Sequence, residues 1–146
     1  MPANAPAASM GPLLLDTCAV LWLVDGAPMN KQALAALEDA ERKRQALFLS
    51  PISIWEIGLL MSKGRIASTL SPHAWTERLL AHPLMRLAEL PPRVLIDASW
   101  LPGNPPADPA DRMIIATARH YGQTILTRDR KILAYAEAGL VQALRC

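Results

Sequence analysis

Leu13-Leu14-Leu15-Asp16-Thr17-Cys18 decides the fold: three apolar residues that read as a buried strand run directly into a carboxylate, a small hydroxyl and a thiol. In an open parallel α/β sheet, ligands are received in the crevice just beyond the carboxyl ends of the strands, so an acid at position 16 points into that crevice. Three further acids, Glu56, Asp111 and Asp129, also fall where a predicted apolar element begins or ends.

Outward from this strand, helices and strands alternate. Residues 19–24 form an apolar run broken by Gly26-Ala27-Pro28, a short helix and a turn. Asn30 caps a second helix in which Ala33, Leu34 and Leu37 recur at helical spacing, and its Arg42-Lys43-Arg44 end reads as a solvated face. Residues 46–49 read as a second strand. Ser50-Pro51, an N-cap followed by proline at the first helical position, then opens a third helix whose only charge before Lys63 is Glu56. A carboxylate among so many apolar neighbours is costly unless something pairs with it. Ser71-Pro72 repeats the device for a fourth helix, residues 86–90 give a weak third strand, and Pro91-Pro92 opens a helix before a proline-rich loop at 101–107. Asp108-Pro109 begins the most clearly amphipathic helix, closed by Gly122. Residues 124–127 are a fourth strand, 129–138 the last helix and 140–144 a short final strand. Successive parallel strands need crossovers, so the alternation implies an α/β fold with a mainly parallel central sheet of four to five strands flanked by helices.

The 146 residues suit one domain, able to bury roughly two-thirds of its unfolded surface. With 51% apolar and 19% charged residues a disordered chain is excluded, and no apolar run approaches the roughly 18 residues of a membrane span. A soluble protein with no membrane association is expected. Residues 1–11, rich in Ala and Pro and lacking a signal-peptide pattern, read as a disordered leader to a domain at 12–146, with Met10 as an alternative start. Cys18 and Cys146 show neither metal-ligand spacing nor a disulfide framework, which fits a reducing cytoplasm. The net charge of +2 does not announce nucleic-acid binding but permits a phosphate-bearing substrate.

Each acid has a structural explanation. Asp16 and Asp129 can cap the helices that follow them, Glu56 lies three residues after Ser53 at capping-box spacing, and Asp108 precedes Pro109 as an N-cap with Asp111 at N3. Together they mean more, because strand ends and helix starts in a parallel sheet lie along one edge. Carboxylates at close range raise one another's pKa, and such a cluster persists most naturally around cations. Oxygen ligands without His or Cys partners indicate Mg²⁺ or Mn²⁺ rather than zinc, and His73, His82 and His120 are scattered. Metal-bound acids at a sheet edge suit phosphodiester hydrolysis. No Gly-x-Ser-x-Gly elbow and no Gly-rich phosphate loop competes.

Four stretches in order, residues 13–19, 50–57, 108–118 and Leu126-Thr127-Arg128-Asp129, resemble the successive motifs of PIN-domain proteins, in particular VapC-type toxins of type II toxin-antitoxin systems. The resemblance runs from Leu13 to about Leu144. It implies a small nuclease that uses Mg²⁺ or Mn²⁺ to cut RNA, usually as a homodimer, held inactive by a VapB-type antitoxin. It also implies that Asp16, Glu56, Asp111 and Asp129 are the catalytic, metal-holding acids, with Thr17, Ser53 and Asp108 in support. Other PIN-type functions are an RNA-binding module without turnover and a nuclease of RNA processing.

A haloacid dehalogenase-type phosphatase would want an Asp where Cys18 stands, and a receiver domain would want an acidic pair near the first strand. Trp22, Trp55, Trp75 and Trp100 read as core or interface anchors rather than base-stacking platforms. Arg112, Arg128, Arg130 and Lys131 are candidates to hold RNA phosphates, although surface solvation explains them equally well.

Overall fold

The computed structural model describes residues 10–146. Among them are five strands, β1 (Leu13–Leu15), β2 (Leu47–Leu49), β3 (Met85–Leu87), β4 (Thr124–Thr127) and β5 (Gln142–Arg145). They form one sheet in the order β3-β2-β1-β4-β5, parallel at every pairing. The seven helices are α1 (Thr17–Asp25), α2 (Lys31–Arg42), α3 (Pro51–Ser62), α4 (Pro72–Leu80), α5 (Pro92–Ser99), α6 (Pro109–Tyr121) and α7 (Arg130–Glu137). From β1 the chain steps outward through β2 to β3, then crosses back to add β4 and β5 on the other side. The strand order therefore reverses between β1 and β4, where an open α/β sheet forms its crevice.

The central strand explains its own composition. Successive side chains of a strand point to opposite faces. Leu13 and Leu15 pack with Ala19, Leu37, Leu49, Trp75 and Leu79 on one face, while Leu14 packs with Val94, Ile114, Ile115, Ile125 and Ile132 on the other. All three leucines are at most 4% exposed, so neither face tolerates a polar residue. Helix α3 contributes to both layers, Ile54 and Ile57 to the first and Ile52 to the second.

Local capping chemistry sets most element boundaries. Asn30 Oδ1 accepts the Ala33 N–H at 3.1 Å, Ser50 Oγ the Ile52 N–H at 3.2 Å and Ser71 Oγ the Ala74 N–H at 3.1 Å. Gly122 ends α6 with φ 66°, a conformation that costs a residue with a Cβ. Ser50 caps α3, as the Ser50-Pro51 reading expects; the alternative capping box of Ser53 and Glu56 does not form, because Ser53 lies inside the helix and Glu56 a turn further on. The third strand lies at Met85–Leu87 rather than 86–90, and the last helix at Arg130–Glu137 with Asp129 as its cap.

The leader expectation for residues 1–9 lies outside the described residues. Met10 and Gly11 belong to the packed chain: Thr124 Oγ1 donates to the Met10 carbonyl, and a side chain on Gly11 (φ 72°) would collide with the Gly122 carbonyl. A second correction concerns the cysteines, which are joined as a Cys18–Cys146 disulfide with their Cα atoms 6.3 Å apart. A separation of 128 residues gives no spacing signal; the pair meets because α1 leaves the end of β1, two strands from β5. Among the described residues no helix is long and apolar enough to cross a membrane.

Arg112 is structural rather than a ready phosphate ligand. Its guanidinium donates to the carbonyls of Ala98 (2.9 Å), Pro106 (3.1 Å) and Ser99 (3.2 Å), tying α6 to the end of α5 and to the loop between them. Arg112→Ala should lower the unfolding free energy by about 2 kcal/mol in urea titration. Lysine should restore little of it, since an ammonium group cannot reproduce the planar fork.

Candidate active site

Asp16 is the first residue beyond β1, and its N–H donates to the Leu126 carbonyl at 2.9 Å, so the backbone of β4 fixes its place. As the N-cap of α1 its Oδ1 accepts the Thr17 N–H at 2.9 Å, and its Oδ2 accepts the Thr127 hydroxyl at 2.7 Å. The same Thr127 oxygen accepts the Asp129 N–H at 3.0 Å. One fully buried hydroxyl at the end of β4 thus ties the first acid to the last. Thr127 was missed as a site residue in sequence reasoning. Its signal is a hydroxyl that ends a buried strand two positions before an acid.

Asp129 caps α7, with Oδ1 accepting the N–H groups of Lys131 (2.9 Å) and Ile132 (3.0 Å). Asp108 caps α6 as expected, accepting the Asp111 N–H at 3.0 Å, which leaves Asp111 in the first turn with its carboxylate unbonded. Glu56 projects from the middle of α3 and likewise accepts no hydrogen bond from the described residues. Ser53, one turn earlier, is 1% exposed and its Oγ has no partner among the described residues.

Electrostatics shows which acids share a field. Burial, then the charges of Asp16, Asp108 and Asp129, raises the Glu56 pKa to about 7. Burial, then Asp129, Asp108, Asp16 and Glu56, raises Asp111 to about 7. Burial also raises Asp16, against the opposing hydrogen bonds of Thr127 and Thr17. Every charge acting on these three is negative, and the ion pairs of the described residues involve Asp39 and Glu41 instead.

The five acids therefore face one region, yet among the described residues no three His, Cys, Asp or Glu groups converge as a finished metal-binding set. The donor set nonetheless fits a hard cation: oxygen ligands only, an uncompensated negative field and an orphaned buried hydroxyl at Ser53. A concavity of about 1000 Å³ holds none of Asp16, Glu56, Asp108, Asp111 and Asp129; it lies by Gly11, Pro12, Leu13 and Ala46 at the opposite ends of the strands. The tryptophans divide: Trp75 is fully buried as expected of a core anchor, whereas Trp55 and Trp100 are 61% and 82% exposed.

A family model described as the PIN domain matches residues 13–138. Ribonuclease VapC22 of Mycobacterium tuberculosis is 32% identical over 127 residues, covering 86% of this chain and 93% of that protein. Among solved structures, VapBC2 from Rickettsia felis bound to a DNA fragment from its promoter is similar with a TM-score of 0.66 at 13% identity, over 92% of this chain and 98% of that one. FitAcB from Neisseria gonorrhoeae is similar with a TM-score of 0.57 at 21% identity, over 90% of this chain and 96% of that one. At these identities the structural likeness bears on the fold alone.

Two outcomes are expected. Glu56 and Asp111 bind protons more tightly folded than unfolded, so without metal the stability they contribute is complete near pH 4 and is lost as pH rises to about 7. In chelator the melting temperature should therefore fall between about pH 5 and about pH 7 and level off above, with a smaller fall in Asp111→Asn. Thr127→Val keeps the shape but leaves the Asp16 carboxylate and the Asp129 N–H without their partner. It should cost about 1–3 kcal/mol in thermal unfolding, and Thr127→Ser should recover most of it.

Proposed function

The chain belongs to the PIN-domain family, and from that premise we propose that it is a metal-dependent endoribonuclease. It serves as the toxin of a type II toxin-antitoxin pair and is restrained by a VapB-type antitoxin. The observation that carries the reading is the field at the strand ends, where among the described residues Glu56 and Asp111 meet neither an ion-pair partner nor a hydrogen-bond donor. Likeness to a ribonuclease along 86% of the chain supports RNA as the substrate.

In this reading Asp16, Glu56, Asp111 and Asp129 hold Mg²⁺ or Mn²⁺. When bound, such an ion polarises the scissile phosphate and lowers the pKa of an attacking water. The chain's own part is placement. Thr127 and Thr17 hold the Asp16 carboxylate, Asp129 caps α7 through Oδ1 and keeps Oδ2 for the site, and Ser53 supplies a hydroxyl beside Glu56. Asp108 supports the site indirectly by fixing the first turn of α6.

Residues 12–146 form the nuclease domain, acting in the cytoplasm where its substrate is found. The exposed Trp55 and Leu59 on α3, with Ile96 on α5 and Trp100 at its end, favour a homodimer or an antitoxin-covered face over a fully solvated one. An RNA-binding module without turnover is the reading that a cleavage assay with purified protein separates from this one.

The decisive measurement is cleavage of single-stranded RNA with Mg²⁺ or Mn²⁺ and with chelator. Cleavage should need the ion, and Asp111→Asn should abolish it with little effect on folding. Asp108→Asn should keep most activity, because Asn caps a helix about as well as Asp, while Asp108→Ala should cost roughly 1 kcal/mol of stability. Activity that survives full chelation would overturn the proposal.

A further inference from the structure

The chain has two cysteines, and the fold joins them at the edge of the acidic site. Cys18 lies in the first turn of α1, two residues after Asp16. Cys146 follows β5 and is 5% exposed. Its N–H donates to the Thr127 carbonyl at 2.9 Å, and its carbonyl accepts the Asn30 N–H at 3.0 Å. Thr127 is the residue whose hydroxyl holds Asp16 and receives the Asp129 N–H. The disulfide therefore closes a ring through Asp16, Thr127 and the end of β5. Without it β5 is a four-residue edge strand with exposed residues at both ends, paired with β4 on one side and backed by α2 and α7.

We propose that Cys18–Cys146 is a redox latch on the acidic site: oxidised, it fixes Asp16 against Thr127; reduced, it lets the end of β5 and the first turn of α1 move apart. The inference rests on the nuclease reading in one respect. A protein that works on cytoplasmic RNA meets a reducing pool in which a disulfide is transient and redox-sensing rather than a permanent staple. The exchange is balanced by a small dithiol. Its two thiols pass two electrons and two protons to the S–S bond, which breaks to leave one thiol on each cysteine, and the dithiol closes to its own disulfide. A small-molecule disulfide such as oxidised glutathione drives the reverse exchange, gaining the two electrons and two protons as it separates into two thiols.

The test compares the full chain after treatment with oxidised glutathione and with dithiothreitol. Alkylation followed by mass measurement counts free thiols, and cleavage of single-stranded RNA is followed with Mn²⁺. The rise in melting temperature on adding Mn²⁺ gives a second readout. The oxidised protein should show no free thiol, and the reduced protein two. Reduction should cost roughly tenfold in cleavage rate or in Mn²⁺ affinity, the usual consequence of loosening the groups that orient a metal ligand. Cys146→Ser should match the reduced protein in both buffers. Two free thiols after oxidation would overturn the latch, as would equal cleavage and equal Mn²⁺ response in the two forms. Should neither form cut RNA, the nuclease reading fails separately; the latch then stands if the Mn²⁺ response is larger in the oxidised protein and falls if it is not.

Discussion

Leu13–Leu15 is hydrogen-bonded on both sides, to β2 and to β4, and buried on both faces. A strand so placed cannot slip by one residue without driving a side chain into the wrong layer. Asp16 is thereby fixed where the backbone leaves the sheet, at the point of strand-order reversal. The β4 register, pairing Leu15 with Leu126, then brings Thr127 level with the Asp16 side chain. Asp16 and Asp129 thus follow the ends of neighbouring strands, whereas Glu56 and Asp111 are delivered by helices.

Capping and catalysis are not rival explanations for these acids. A carboxylate has two oxygens, and a cap occupies one: Asp129 gives Oδ1 to two amide donors of α7 and keeps Oδ2. Asp108 differs in kind from Asp111, because its cap bond is made to the Asp111 amide itself. Glu56 and Asp111 have no such bond, and theirs are the carboxylates that burial, and then the neighbouring acids, push up to about 7. Burial and the like charges around them make the ionised form of both carboxylates costly. A bound cation would offset that cost.

What was legible in the sequence followed from local chemistry. Asn30, Ser50-Pro51, Ser71-Pro72, Asp108-Pro109 and Gly122 announce helix ends because capping depends on residues within one turn. The three leucines announce a buried strand for the same reason. The spacing of Ser53 to Glu56 imitates a capping box, but Ser50-Pro51 is the stronger local signal and starts the helix three residues earlier. Arg112 and the cysteine pair were not legible, since their partners lie up to 14 and 128 residues away, the first joined by the packing of α5 against α6 and the second by the sheet order; at Thr127 only the hydroxyl before an acid was local, its Asp16 partner lying 111 residues off.

The uneven placement of the tryptophans gives the molecule two optical reporters. Trp75 sits in the core, its indole N–H without a partner among the described residues, and Trp22 packs half-buried against the same core, whereas Trp55 and Trp100 stand in solvent. Indole emission moves to longer wavelength as its surroundings become more polar. Unfolding therefore shifts the light from Trp75 toward the red while leaving that of Trp55 and Trp100 nearly where it was. A partner settling over α3 and the end of α5 does the opposite, drawing the solvent-facing pair toward the blue and leaving the core signal unchanged.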